Sequence, residues 1–94
     1  MRSRYAAFAL GLTDYLSATW DPETRPAQIR LRPEQQWIGL RIVDTQAGGP
    51  ADAAGEVEFV ARSRIHGRAQ KLHERSRFRR ENGAWLYVDG VMNP

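Results

Sequence analysis

Arg77-Phe78-Arg79-Arg80-Glu81-Asn82-Gly83-Ala84-Trp85-Leu86-Tyr87-Val88 decides the fold. Asn82-Gly83 is a dipeptide suited to the two-residue type I′ turn, which needs positive φ at both central positions, and aromatic and β-branched residues stand on either side of it. The stretch predicts an antiparallel hairpin with strands over 71–81 and 84–91. Its register sets Phe78 opposite Tyr87, Arg77 opposite Val88 and Ser76 opposite Asp89.

Toward the N-terminus, β-branched and aromatic residues at period two predict two more strands, over 37–45 and 56–65. Between them, Ala47-Gly48-Gly49-Pro50 reads as a flexible connector, without the strand-glycine-helix context or the Lys-Ser/Thr of a phosphate loop. Charge selects a register for these strands, since opposite charges attract across a ladder. If His66-Gly67-Arg68 turns so that Arg64 meets Lys71, then Glu58 meets Arg77, Glu56 meets Arg79 and Val57 meets Phe78. Setting Leu40 opposite Phe59 places Arg41 beside Glu58 and Trp37 beside Arg62. Slips of two residues preserve the same faces. One face then carries Ile38, Leu40, Ile42, Val57, Phe59, Ala61, Leu72, Phe78, Trp85 and Tyr87, with Glu74, Ser76 and Asp89 as polar residues at inward positions. The other carries Glu56, Glu58, His73 and the basic residues Arg62, Arg64, Lys71, Arg75, Arg77 and Arg79, with Trp37, Val60, Leu86 and Val88 among them.

Ahead of the strands, Tyr5, Phe8, Ala9 and Leu12 fall on one helical face and predict a first helix over 2–11, ended by Gly11. Thr13 is placed to cap a second, short helix, with Leu16 and Trp20 one turn apart. The proline-bearing stretch 21–36 predicts turns. Helices followed by strands make an α+β layer structure of about four antiparallel strands, a single domain over 1–94.

The absence of cysteine excludes disulfides, zinc-thiolate sites and thiol catalysis, and no apolar run approaches the length of a membrane span. Arg2 and Arg4 precede the apolar run 6–12, but Asp14 and Tyr15 stand where a signal peptide needs small residues. The run therefore reads as helix, and the cytoplasm is the expected compartment. Of the 14 basic residues, all but Lys71 are arginine. Eight of them fall between Val60 and Asn82, against only Glu74 and Glu81. Arginine favours planar, bidentate or stacking contacts, although a GC-rich genome produces the same bias.

Met1-Arg2-Ser3-Arg4-Tyr5-Ala6-Ala7-Phe8, His73-Glu74-Arg75-Ser76-Arg77-Phe78 and Trp85-Leu86-Tyr87-Val88-Asp89-Gly90 together resemble the YchJ-like family of uncharacterised bacterial proteins. The resemblance runs over nearly the whole chain. It implies a nuclear transport factor 2-like, cystatin-like cone: a curved antiparallel sheet wrapped around helices, with a cavity at its mouth. In that family the module usually follows a cysteine-rich motif similar to the zinc-binding C-terminus of the SecA translocase. This cysteine-free sequence inherits no metal function from it, and is expected to be a fragment or a short-start form. The same cone hosts isomerases, dehydratases, ligand binders and inert dimerisation modules, so fold alone does not assign an activity.

Three readings of the site residues follow. A buried carboxylate at Glu74, with Ser76, Tyr87 and Asp89 around it and Arg4 on the first helix, makes a candidate ligand pocket or proton-transfer site. Alternatively, Glu74 closes a structural ion pair with Arg4 or Arg2. Proton-transfer enzymes on this fold commonly use an early Asp or His. Asp14 and Asp21 are the only early acids outside loops, and neither His66 nor His73 is well placed, so the balance leans away from an enzyme. The basic face, Arg62, Arg64, Lys71, Arg75, Arg77 and Arg79, suits phosphate-rich polymers, although Glu56 and Glu58 neutralise part of it. Val60, Leu86 and Val88 on that face suit a protein partner or a homodimer through the sheet. The leading expectation is a non-enzymatic binding or interaction module without cofactor or metal, since the two histidines have no third ligand nearby.

Overall fold

The computed structural model describes residues 1–92. Two helices, α1 (Arg2–Leu10) and α2 (Thr13–Ala18), precede four strands, β1 (Gln35–Ala47), β2 (Ala54–Ile65), β3 (Arg68–Glu81) and β4 (Ala84–Met92). The strands form one antiparallel sheet in the order β1-β2-β3-β4. This is the α+β arrangement that the sequence pattern predicts.

Gly11 ends α1 in the left-handed region at φ 70°, and the Leu12 N–H donates to Ala7 O at 2.8 Å while the Gly11 N–H donates to Phe8 O. The pair of bonds satisfies carbonyls that a helix end otherwise leaves open. The buried stripe of α1 runs through Arg4 and Ala7, flanked by half-buried Tyr5 and Phe8, whereas Ala9 and Leu12 face solvent. The expected helical face is thus rotated by about one position. Thr13 makes no cap: Leu12 occupies that position, and Leu16 alone is buried from α2.

Both hairpins close in two residues, with positive φ at His66 and Gly67 and at Asn82 and Gly83. The second matches the sequence reading and brings Phe78 opposite Tyr87. The first corrects a register. Because His66-Gly67 is the whole turn, Arg62 rather than Arg64 faces Lys71, Glu58 faces Arg75, Glu56 faces Arg77 and Val57 faces Ser76. Across β1 and β2, Leu40 likewise faces Ala61 rather than Phe59, which pairs with Ile42. The β2–β3 ladder is slipped by two, as is the β1–β2 ladder from Gly39 to Ile42, so residues in these stretches keep their faces.

Three irregularities change faces locally. A shift between Trp37 and Gly39 turns Trp37 inward, where its ring meets Tyr5 at 5.8 Å and Phe8 at 6.3 Å, and leaves Ile38 53% exposed. The expected places of Trp37 and Ile38 are therefore exchanged, because one extra residue inverts the pleat. A second shift lies between Ile42 and Asp44. A third, between Arg77 and Phe78, brings Asp89 opposite Arg77 and Gly90 opposite Ser76.

The core lies between the helices and the inner sheet face, with Ala7, Leu16, Phe59 and Ala61 buried. The chain after α2 docks on the free edge of β4. The Tyr87 N–H donates to Thr19 O at 2.8 Å, the Asp21 N–H donates to Tyr87 O at 2.7 Å, and Thr24 Oγ1 donates to Val88 O at 2.6 Å. This covers part of an edge that would otherwise offer itself to another chain.

Candidate functional site

Four of the five candidate pocket residues converge on the inner face. Glu74 and Ser76 alternate inward on β3, Tyr87 points inward from β4, and Arg4 descends from the buried stripe of α1. Glu74 Oε1 accepts from Ser76 Oγ at 2.5 Å and from Tyr87 Oη at 3.1 Å. Burial first, then Glu74, pushes the Tyr87 phenol well above its usual value, so the hydroxyl stays protonated and donates. Gly90 makes room for this arrangement: a Cβ there would overlap the Glu74 carboxyl.

Arg4 is 5% exposed and lies in an aromatic cage, its Cζ 3.9 Å from the Tyr87 ring centre, 4.6 Å from that of Trp20 and 5.5 Å from that of Phe8. Its Nη1 has no hydrogen-bond partner, and neither has the indole Nε1 of Trp20. Burial lowers the guanidinium below its usual value, while Tyr87 and Glu74 oppose the fall through space. Arginine remains charged under all ordinary conditions. The ion pair expected between Glu74 and Arg4 is absent, and ring faces take the place of a counter-ion. Two cavities share Arg4 in their lining: one of about 230 Å³ walled by Tyr5, Phe8, Trp20, Trp37, Glu74 and Tyr87, and a wider groove of about 600 Å³ toward the glycine loop and Trp85.

Asp89, the fifth candidate, does not join them. The irregularity beside Arg77 turns it to the outer face, where it binds Arg77 Nε and Nη2 at 2.6 Å each. The basic face is also divided. Arg75 reaches Glu56, Glu58 and Asp44, Arg77 reaches Asp89, and Arg79 reaches Asp21 and Glu81. Asp21, expected as an early acid, is buried and accepts from Arg79 Nε at 2.7 Å and from the Glu23 N–H at 3.0 Å, which together hold its carboxyl below the usual range. His73 Nε2 lies 2.8 Å from Glu58 Oε2, also on the outer face. Arg62, Arg64 and Lys71 are exposed.

A family model for the middle, NTF2-like domain of YchJ matches residues 1–90. The chain belongs to the YchJ middle-domain family. Similar proteins include a UPF0225 protein of Chromobacterium violaceum, 53% identical over 98% of this chain, and one of Methylibium petroleiphilum, 54% identical over 100%. A UPF0225 protein of Streptomyces coelicolor is 50% identical over 96%. The chain spans 70%, 68% and 69% of the lengths of these three relatives. The solution structure of a SEC-C motif containing protein from Rhodopseudomonas palustris is similar over all of this chain and 76% of its own, with 37% identity and a TM-score of 0.82. The NTF2-like fold expected from the resemblance is thereby shown.

Within this YchJ middle domain, sequence reasoning missed the Arg4 cage. Phe8 was legible as one turn beyond Arg4. Trp20 was assigned to α2 but lies beyond it, bridged to Tyr87 in β4. Among the described residues no helix is long and apolar enough to cross a membrane, and no three His, Asp or Glu side chains gather as metal ligands.

Proposed function

We propose that this YchJ middle domain is a binding module rather than a catalyst, and that its concave cavity takes a small carboxylate with a flat, apolar body. The observation that carries the reading is Arg4, a buried cation without a carboxylate in contact, lining both inner cavities. A buried charge is costly until it is paired, and a bound carboxylate would pair it. Tyr5, Phe8, Trp20 and Trp37 supply flat apolar walls for the rest of such a ligand. The groups around Glu74 argue against a general base: Oε1 is already engaged by two hydroxyls, and both histidines lie away from the cavity. A protein partner or second copy on the outer sheet face has less support, because Arg75, Arg77 and Arg79 are paired within the chain.

The test is an NMR titration with benzoate, following the three indole N–H signals. Expected is saturable movement of the Trp20 and Trp37 signals, abolished by Arg4→Met in a protein whose other resonances keep their dispersion. No movement at millimolar benzoate, or equal movement in Arg4→Met, overturns the reading. Native mass spectrometry at low salt complements it: a retained small acid supports the pocket.

A further inference from the structure

The outer face of the sheet has two unlike ends. Toward the glycine loop, each β3 arginine meets an acid: Arg75 with Glu56 and Arg77 with Asp89. Toward the His66-Gly67 turn, Arg62 and Lys71 are direct cross-strand partners, like charges at the spacing where repulsion is greatest. Arg41 stands on the neighbouring strand opposite Val60, and Arg64 lies two positions along β2. Among the described residues none of these four cations has a carboxylate at ion-pair distance.

Gly39 faces Arg62 across the β1–β2 ladder, and a Cβ built on it meets nothing within 4 Å. The missing side chain leaves a depression of about 290 Å³ whose lining includes Arg41, Arg62, Lys71, Val60 and Gly39 and no acid. A like-charged pair weakens the sheet that holds it, and the charge is exposed where an anion can reach it.

We infer that this corner binds the sugar–phosphate backbone of a single-stranded nucleic acid. Arg62 and Arg64 are spaced along β2 by roughly 7 Å, two strand rises, a step that an extended phosphate chain can follow. Arg41 on β1, then Arg62 and Arg64 on β2, occupy three successive rows of the outer face, with Lys71 beside Arg62, a diagonal track that suits a linear polymer. Three paired strands meet at this corner, which offers no helix or two-stranded ribbon to insert into a duplex groove. Trp37 faces inward, so the contact is electrostatic and indifferent to base sequence. This site is separate from the concave cavity, and either can fail without the other.

Fluorescence anisotropy with a labelled 12-nucleotide uridine strand tests the inference. Four phosphate contacts on a single strand predict a log–log salt slope of about −2.8, or roughly a 50-fold loss of affinity between 50 and 200 mM salt. The Arg62→Ala, Lys71→Ala double variant should reduce that slope by about 1.4 and weaken binding at low salt at least tenfold, while Arg77→Ala leaves binding unchanged. The double variant should also melt no lower than the parent, since a repulsive pair has gone. The inference is overturned by no binding at 50 mM salt, by unchanged binding in the double variant, by an equal loss in Arg77→Ala, or by binding to phosphatidylserine vesicles but not to the strand.

Discussion

The two faces of the sheet treat arginine in opposite ways. On the inner face, Arg4 is sealed among three rings, and the nearest acid, Glu74, is held by Ser76 and Tyr87 instead. On the outer face, Arg75 is shared by Glu56, Glu58 and Asp44 in a lattice open to water. An exposed pair gains little, because water and salt screen it and two long side chains must be ordered. A buried polar group is worth much more when satisfied and costs much more when stranded. The fold should therefore be sensitive to changes beneath the helices and tolerant of changes on the outer lattice.

The strongest challenge to that contrast is Leu16→Ala, which empties the fully buried position of α2. It should cost about 2–5 kcal/mol, read as a lower urea midpoint with an unchanged slope. Gly90→Ala comes next, at about 1–3 kcal/mol, because its Cβ would overlap the Glu74 carboxyl. Combining it with Glu74→Ala should recover part of the loss, and strict additivity would show that the two residues are uncoupled.

Acid tests the outer lattice and its borders. Asp21, Glu58 and Asp89 are all held below the usual carboxylate range, chiefly by hydrogen bonds from Arg79, His73 and Arg77 respectively. The unfolded chain therefore takes up protons first as pH falls, so the stabilisation is complete above about pH 4 and is lost below it. Thermal melts between pH 7 and 3 should show a fall confined to the acid end and flattened in Asp21→Asn. The smallest effect belongs to Arg77→Ala, whose exposed pair with Asp89 should lower the melting temperature at neutral pH only slightly. A drop as large as that of Gly90→Ala would break the comparison.

How much of this was legible depends on where regular alternation holds. Asn82-Gly83 announced its turn, and Phe78 and Tyr87 met as expected. Glu74, Ser76 and Tyr87 shared a face because no irregularity separates Glu74 from Ser76 and the one beside Phe78 lies where its effect is local. Asp89 and Trp37 were misplaced by single extra residues, which inspection of alternation cannot detect because the residue types on either side still alternate. Charge matching could not tell the two slips of β2 and β3 apart, since Glu56 and Glu58 each find an arginine in either register and an arginine faces Lys71 in both. Arg4 was suspected as the partner of Glu74. What the sequence could not express is that Trp20, just past the end of α2, would help to enclose it.

The docking of the chain after α2 onto β4 bears on the order of assembly. Thr24 and Val88 are joined by a hydrogen bond across 64 residues, whereas the His66-Gly67 and Asn82-Gly83 hairpins close between adjacent strands. Loop closure costs more entropy as the span grows, so the hairpins have the cheaper nucleation and the N-terminal segment has nothing to bridge to until β4 is in place. A refolding chain should protect the amides of β3 and β4 from hydrogen exchange before that of Asp21. During synthesis, the segment after α2 leaves the ribosome early and must wait for the last strand.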